Sequence, residues 1–317
     1  MIEQGQASIN GKNLQLTESG NVFKTIGIGL IQVLGGIPQA VNVFLSLVVQ
    51  PYYTNNSNNS EFQWFSIQDL IYGKIGLFDI NFFKIQNNSS GDNINTTIKT
   101  QVSQWYYAVR NIAMIGSLLA LVYVGIRMAI STVASDQAKY KQMLLMWLKS
   151  FVVLFVLPYI FIFIFSIGDA FIDIVKQVAP KENLDTVILE ALYGDMNKND
   201  ITASFWAFIN LCMLTYFNVK FFGRYLFRLL KIAFLIIISP LITVTYALGK
   251  DSAYKAWLDS LIGAIFMQVV HIVVYSIFMF STAEIVKAVP ILMTAFFMAM
   301  EKGERIFNYV FGLEEQE

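Results

Sequence analysis

The chain has 317 residues, of which 56% are hydrophobic and 14% charged, against about 25% charged residues in an ordinary soluble domain. Its 22 lysines and arginines balance its 22 aspartates and glutamates, so no global basic field favours wrapping of nucleic acid. One cysteine, Cys212, and one histidine, His271, exclude a disulfide framework and a zinc constellation.

Residues 1–24 form a polar segment with no basic cluster and no signal-peptide cleavage pattern, so residues 25–49 are expected to be a permanent first transmembrane helix. On a helix of about 100° per residue, Thr25, Gly29, Gln32, Gly36, Gln39, Ser46 and Gln50 share one face. Such a small and polar stripe should avoid lipid. It either packs closely against another helix or lines a wet conduit. Residues 50–106 are expected to be a polar extracytoplasmic loop, with Asn-Ser tracts at 55–60 and 87–90. Within it, 65–83 is amphipathic and too polar to span, so it should lie on the membrane surface or on a partner subunit.

Residues 107–300 read as a transmembrane helical domain. Tyr107 to Ile130 is the second span, edged by Arg110 and Arg127. Lys139, Lys141 and Lys149 make the next loop cytoplasmic by the positive-inside rule, and the acidic stretch 181–200 then faces outward. This order also puts the N-terminus in the cytoplasm. Leu144 to Val175 is the third span and Leu261 to Thr282 another. Between them, Ala203 to Val219 and Ile232 to Leu248 read most simply as two short spans around a basic turn, or else as one broken, partly peripheral element. WLKS at 147–150 recurs as WLDS at 257–260. A parallel repeat would put both preceding loops on one side, in conflict with the simple span count. Ala288 to Met300 is short for a span, and 301–317 reads as an amphipathic tail. The expectation is an all-α, polytopic membrane protein of about six transmembrane helices.

Two clusters are candidates for function. Lys220, Arg224, Arg228 and Lys231 fall within about 80° on a helix, interleaved with Phe221, Phe222, Tyr225 and Phe227. This stripe suits a juxtamembrane helix held by anionic lipid, or a cytoplasmic collar guiding a polyanionic substrate. Gln268, His271 and Tyr275 share a face with Ser260, Ala264 and Thr282. That face offers a proton relay or an interhelical hydrogen-bond cluster, and the lack of a carboxylate in any neighbouring apolar run favours the cluster. No phosphate-cradling glycine loop, HExxH or activated nucleophile is present, so neither catalysis nor a cofactor or metal is expected.

FSIQDLIYGKIGLFDINFF at 65–83, YYAVRNIAMIGSLLALVYVGIRMAIS from Tyr106, FGRYLFRLLKIAFLIIISPLITVTYALGK from Phe222, AWLDSLIGAIFMQVVHIVVYSIF from Ala256 and FNYVFG from Phe307 together resemble a known family. It is the polytopic inner-membrane channel subunit of type IV secretion and conjugation systems, the TrbL or VirB-six-like family, in its Gram-positive form. The resemblance implies a multi-pass protein of the bacterial cell membrane, in contact with membrane lipids, that oligomerises beneath a secretion conduit. It implies partners among the other secretion subunits, including ATPases, and DNA or protein substrate in transit. A secondary transporter and a non-conducting scaffold are the other classes that the composition allows.

Overall fold

The computed structural model describes residues 17–53, 62–83, 94–132, 134–178, 184–196, 200–247, 251–286 and 290–310. They form helices α1 (Thr17–Val49), α2 (Ile67–Ile71), α3 (Ile94–Ile130), α4 (Ala134–Val178), α5 (Leu184–Met196), α6 (Ile201–Ala247), α7 (Asp251–Val286) and α8 (Pro290–Val310), with no strand among the described residues beyond an isolated bridge between Tyr53 and Ile75. Five helices, α1, α3, α4, α6 and α7, are long and apolar enough to cross a membrane. The chain is a polytopic α-helical membrane protein.

Several boundaries differ from those expected. The region from Ala203 to Leu248 is no pair of short spans: α6 runs unbroken for 47 residues through the basic cluster. Charges at three- and four-residue spacing do not interrupt helical hydrogen bonding, and here neighbouring helices receive them laterally. The described span-length helices therefore number five rather than six. The expected divisions at 106/107 and 300/301 also fall inside helices, because α3 already begins at Ile94 and α8 runs through from Pro290 to Val310.

The helices are stacked in two tiers along α6. At 1.5 Å per residue α6 extends about 70 Å, more than twice the roughly 30 Å hydrocarbon core of a bilayer. In the first tier α1 runs parallel to the N-terminal half of α6. A Cβ on Gly27 would meet Ile201 and one on Gly35 would meet Phe208, while Asn42 bonds Thr215. In the second tier α4 runs antiparallel to both α3 and α6. The Trp147 indole donates to the Ser117 carbonyl and the Ser150 hydroxyl to that of Thr243, while Phe161 contacts both Tyr106 and Trp257, whose indole donates to the Leu235 carbonyl. Thus α3 is parallel to α6, and hence to α1. Successive crossings would run in opposite directions, so the expected alternation of α1 outward and α3 inward is not what the fold builds.

The segment between α1 and α3 explains this. Phe65–Phe83 does not lie on a surface: Phe65, Ile67, Leu70, Ile71, Ile75, Leu77, Phe78 and Phe82 are buried at the boundary between tiers. Each such side chain contributes about 1.5–3 kcal/mol relative to exposure to water. Phe78 sits edge-on to Phe222 and Tyr225 of α6. The chain descends α1, turns within the bundle, and continues down α3.

Candidate functional site at the tier boundary

The α2 segment is held by a layer of polar groups from three directions. Ser66 caps α2 by accepting from the Asp69 amide at 3.4 Å. Gly73 then takes φ +68°, the left-handed region that favours glycine, and brings the backbone close to α7, where a Cβ would lie 3.4 Å from the Gln268 amide nitrogen. From α7, Gln268 Nε2 donates to the Ile71 carbonyl at 2.7 Å and the Tyr275 hydroxyl to Gln68 Oε1 at 3.3 Å. From α1, the Ser46 hydroxyl accepts from the Phe65 amide at 2.7 Å.

Arg228 of α6 completes the layer. It is 4% exposed, and its planar fork donates through Nε to the Ala264 carbonyl at 2.7 Å, through Nη2 to the Ile265 carbonyl at 3.1 Å and through Nη1 to Gln268 Oε1 at 2.9 Å. Gln268 thus uses both ends of its amide, and only one orientation satisfies Arg228 and Ile71 together. One turn away, the Tyr225 hydroxyl lies 3.3 Å from His271 Nδ1, with the ring of Phe221 edge-on to the imidazole. His271 is fully buried.

This geometry divides the basic stripe. Arg228 faces into the bundle, so neither lipid nor a passing substrate reaches it. Lys220 pairs with Glu301 of α8 at 2.5 Å, with Arg224 3.8 Å from the same carboxylate. Lys231 is half-buried. The stripe expected to meet anionic lipid or a polyanionic substrate is therefore not one uniform surface: Arg228 ties α6 to α7, and Lys220 and Arg224, each a third or more exposed, meet Glu301 of α8. Gln268, His271 and Tyr275 do come together, in an interhelical hydrogen-bond cluster with α6 and the α2 segment.

The α1 stripe is divided as well. Ser46 is buried, but Gln32, Gly36 and Gln39 point away from the bundle. A Cβ on Gly36 would meet nothing within 4 Å, and a shallow groove of about 390 Å³ runs past Gly36, Gln39, Ala40, Val43 and Leu47. The inner face of α1 is carried by a residue outside that stripe. Asn42 donates to Thr215 Oγ1 at 2.9 Å and accepts from Asn218 Nδ2 at 3.0 Å. A lone amide between Val41 and Val43 was the available signal for it, as Gln68 and Asp69 were in the insert.

No group of three or more potential metal ligands occurs among the described residues. No known protein family, curated protein or solved structure matches the chain.

Proposed function

We propose that the chain is a membrane-embedded channel or platform subunit of a bacterial secretion or conjugation machine, working in an oligomer that helps DNA or protein substrate across the cytoplasmic membrane. The observation that carries this reading is the outward face of the first tier. Gln32, Gly36 and Gln39 sit among exposed Leu30, Val33, Ile37 and Phe44, with nothing among the described residues covering them. Uncharged amides and small residues on an apolar helix suit close contact with another protein helix better than contact with acyl chains. The length of α6 points the same way, since one bilayer covers less than half of it and the remaining apolar surface needs protein around it.

The secretion role itself rests on the resemblance of the sequence phrases to the type IV channel subunit. In that setting separate ATPases supply energy, in keeping with the lack of a nucleotide-binding motif in this sequence. The test is purification of the full chain with its native partners, counting copies by mass. A ring bound to secretion ATPases supports the reading, and a lone monomer without them overturns it.

A further inference from the structure

Where the insert leaves the tier boundary, a cavity of about 810 Å³ opens between Phe82, the first turns of α3 and the middle of α4. That size is within the roughly 300–1,000 Å³ of ligand-binding pockets. One wall is polar, with Lys99, Ser103, Gln104 and Arg110 from α3, and the other is apolar, with Phe155, Pro158 and Ile162 from α4. The two cations differ. Lys99 is already paired with Asp79 at 2.5 Å. Arg110 makes no ion pair among the described residues: its guanidinium lies 4.8 Å from the Tyr107 ring and 6.0 Å from that of Phe155, and its buried Nε has no hydrogen-bond partner. A guanidinium beside ring faces, with a buried N–H unmatched, is suited to receive an anion.

The surroundings say which anion. Tyr107 and Tyr159, 41% and 72% exposed, line the cavity, amphipathic rings of the kind found at headgroup level. Below them the outer faces of α3 and α4 are apolar, with Ile112, Ile115, Leu119, Leu145 and Val152 exposed. At the far end of these helices lie Arg127, Lys139 and Lys141, as expected at a cytoplasmic surface. The outer faces of α3 and α4 therefore have the profile of a bilayer span, with Arg110 at the edge of the α3 apolar run and the apolar wall of the cavity within that of α4.

We propose that this cavity binds one anionic phospholipid, its phosphodiester on Arg110, its headgroup hydroxyls toward Ser103 and Gln104, and an acyl chain along Phe155, Pro158 and Ile162. The site is independent of the secretion role. It is tested on the full chain purified in mild detergent, by native mass spectrometry with titrated phosphatidylglycerol and phosphatidylcholine. The wild type should retain one phosphatidylglycerol in preference to phosphatidylcholine. Arg110→Gln should weaken that binding about fivefold, the effect of one basic residue at an anionic headgroup, while Lys24→Gln at the far end of α1 leaves it unchanged. Ile162→Trp, which fills the apolar wall and leaves Arg110 in place, should also lose the lipid. Equal retention of both lipids, or wild-type retention by both cavity variants, would overturn the proposal. Displacement by millimolar inorganic phosphate would make this a free-anion site and overturn the lipid assignment too.

Discussion

Arg228 and Gln268 meet at 2.9 Å, and the same glutamine reaches on to the Ile71 carbonyl at 2.7 Å, so a single side chain couples the α6–α7 contact to the buried insert. Replacing it separates the two roles. Gln268→Leu strands a guanidinium nitrogen and a carbonyl and should destabilise the protein by about 1–3 kcal/mol. Gln268→Glu keeps an acceptor for Arg228 but loses the donor to Ile71. It should show a smaller drop in the detergent melting midpoint, with hydrogen exchange rising selectively over 67–75. Equal exchange in the two variants would show that the insert is not held through this residue.

Adjacent glycines on α1 meet different surroundings. A Cβ on Gly35 would lie 2.0 Å from the Met196 methyl carbon, a flexible end that can move, whereas one on Gly36 meets open space. Gly35→Leu should overpack the contact with α5 at a cost of about 1–3 kcal/mol. Gly36→Leu should leave the melting midpoint of the isolated chain unchanged and reduce its self-association, read by light scattering. An unchanged oligomer in Gly36→Leu would remove this face from the assembly.

Asn42 serves Thr215 and Asn218 at once. Asn42→Leu should cost about 1–3 kcal/mol, because two buried polar groups of α6 lose their partner. Adding Thr215→Val and Asn218→Leu should recover much of that loss, since an apolar contact of similar shape leaves nothing unsatisfied. A thermal double-mutant cycle reads the coupling, and strictly additive losses would contradict it.

Glu301 is the carboxylate shared by Lys220 and Arg224, and all three side chains are about a quarter to two-fifths exposed. Solvent screening limits the pair, so Glu301→Gln should cost about 0.2–1 kcal/mol. The sign appears in salt dependence: hydrogen exchange of α8 should rise with ionic strength in the wild type and lose that dependence in the variant.

Much of this was legible in the sequence. Apolar run lengths placed α1, α3, α4 and α7, since a helix long enough to span leaves a composition signal. The WLKS and WLDS phrases marked equivalent places. Trp147 and Trp257 each donate to a carbonyl of the preceding helix, and α3 and α6 end on the same side of the bundle. That parallel arrangement conflicted with the span count only while α6 was taken as two helices. What the sequence could not convey was depth. Phe65–Phe83 is amphipathic whether it rests on lipid or plugs a bundle, and nothing local distinguishes the two. Arg228 read as part of a stripe facing lipid headgroups or substrate because its partners, the Ala264 and Ile265 carbonyls, are backbone atoms without a sequence signature.

The partners of α6 arrive late during synthesis. Arg228 is satisfied by groups 36 to 40 residues further along the chain, and Lys220 by Glu301, beyond α7. When α6 first leaves the ribosome, Lys220, Arg224, Arg228 and Lys231 stand bare between two apolar stretches. Four such cations cost roughly 10 kcal/mol at the centre of a membrane helix. The insertion machinery therefore meets two short hydrophobic segments around a cationic hinge. Until α7 and α8 follow, α6 lacks these partners, so a nascent chain stopped after Ala247 is expected to hold a different topology from the finished protein.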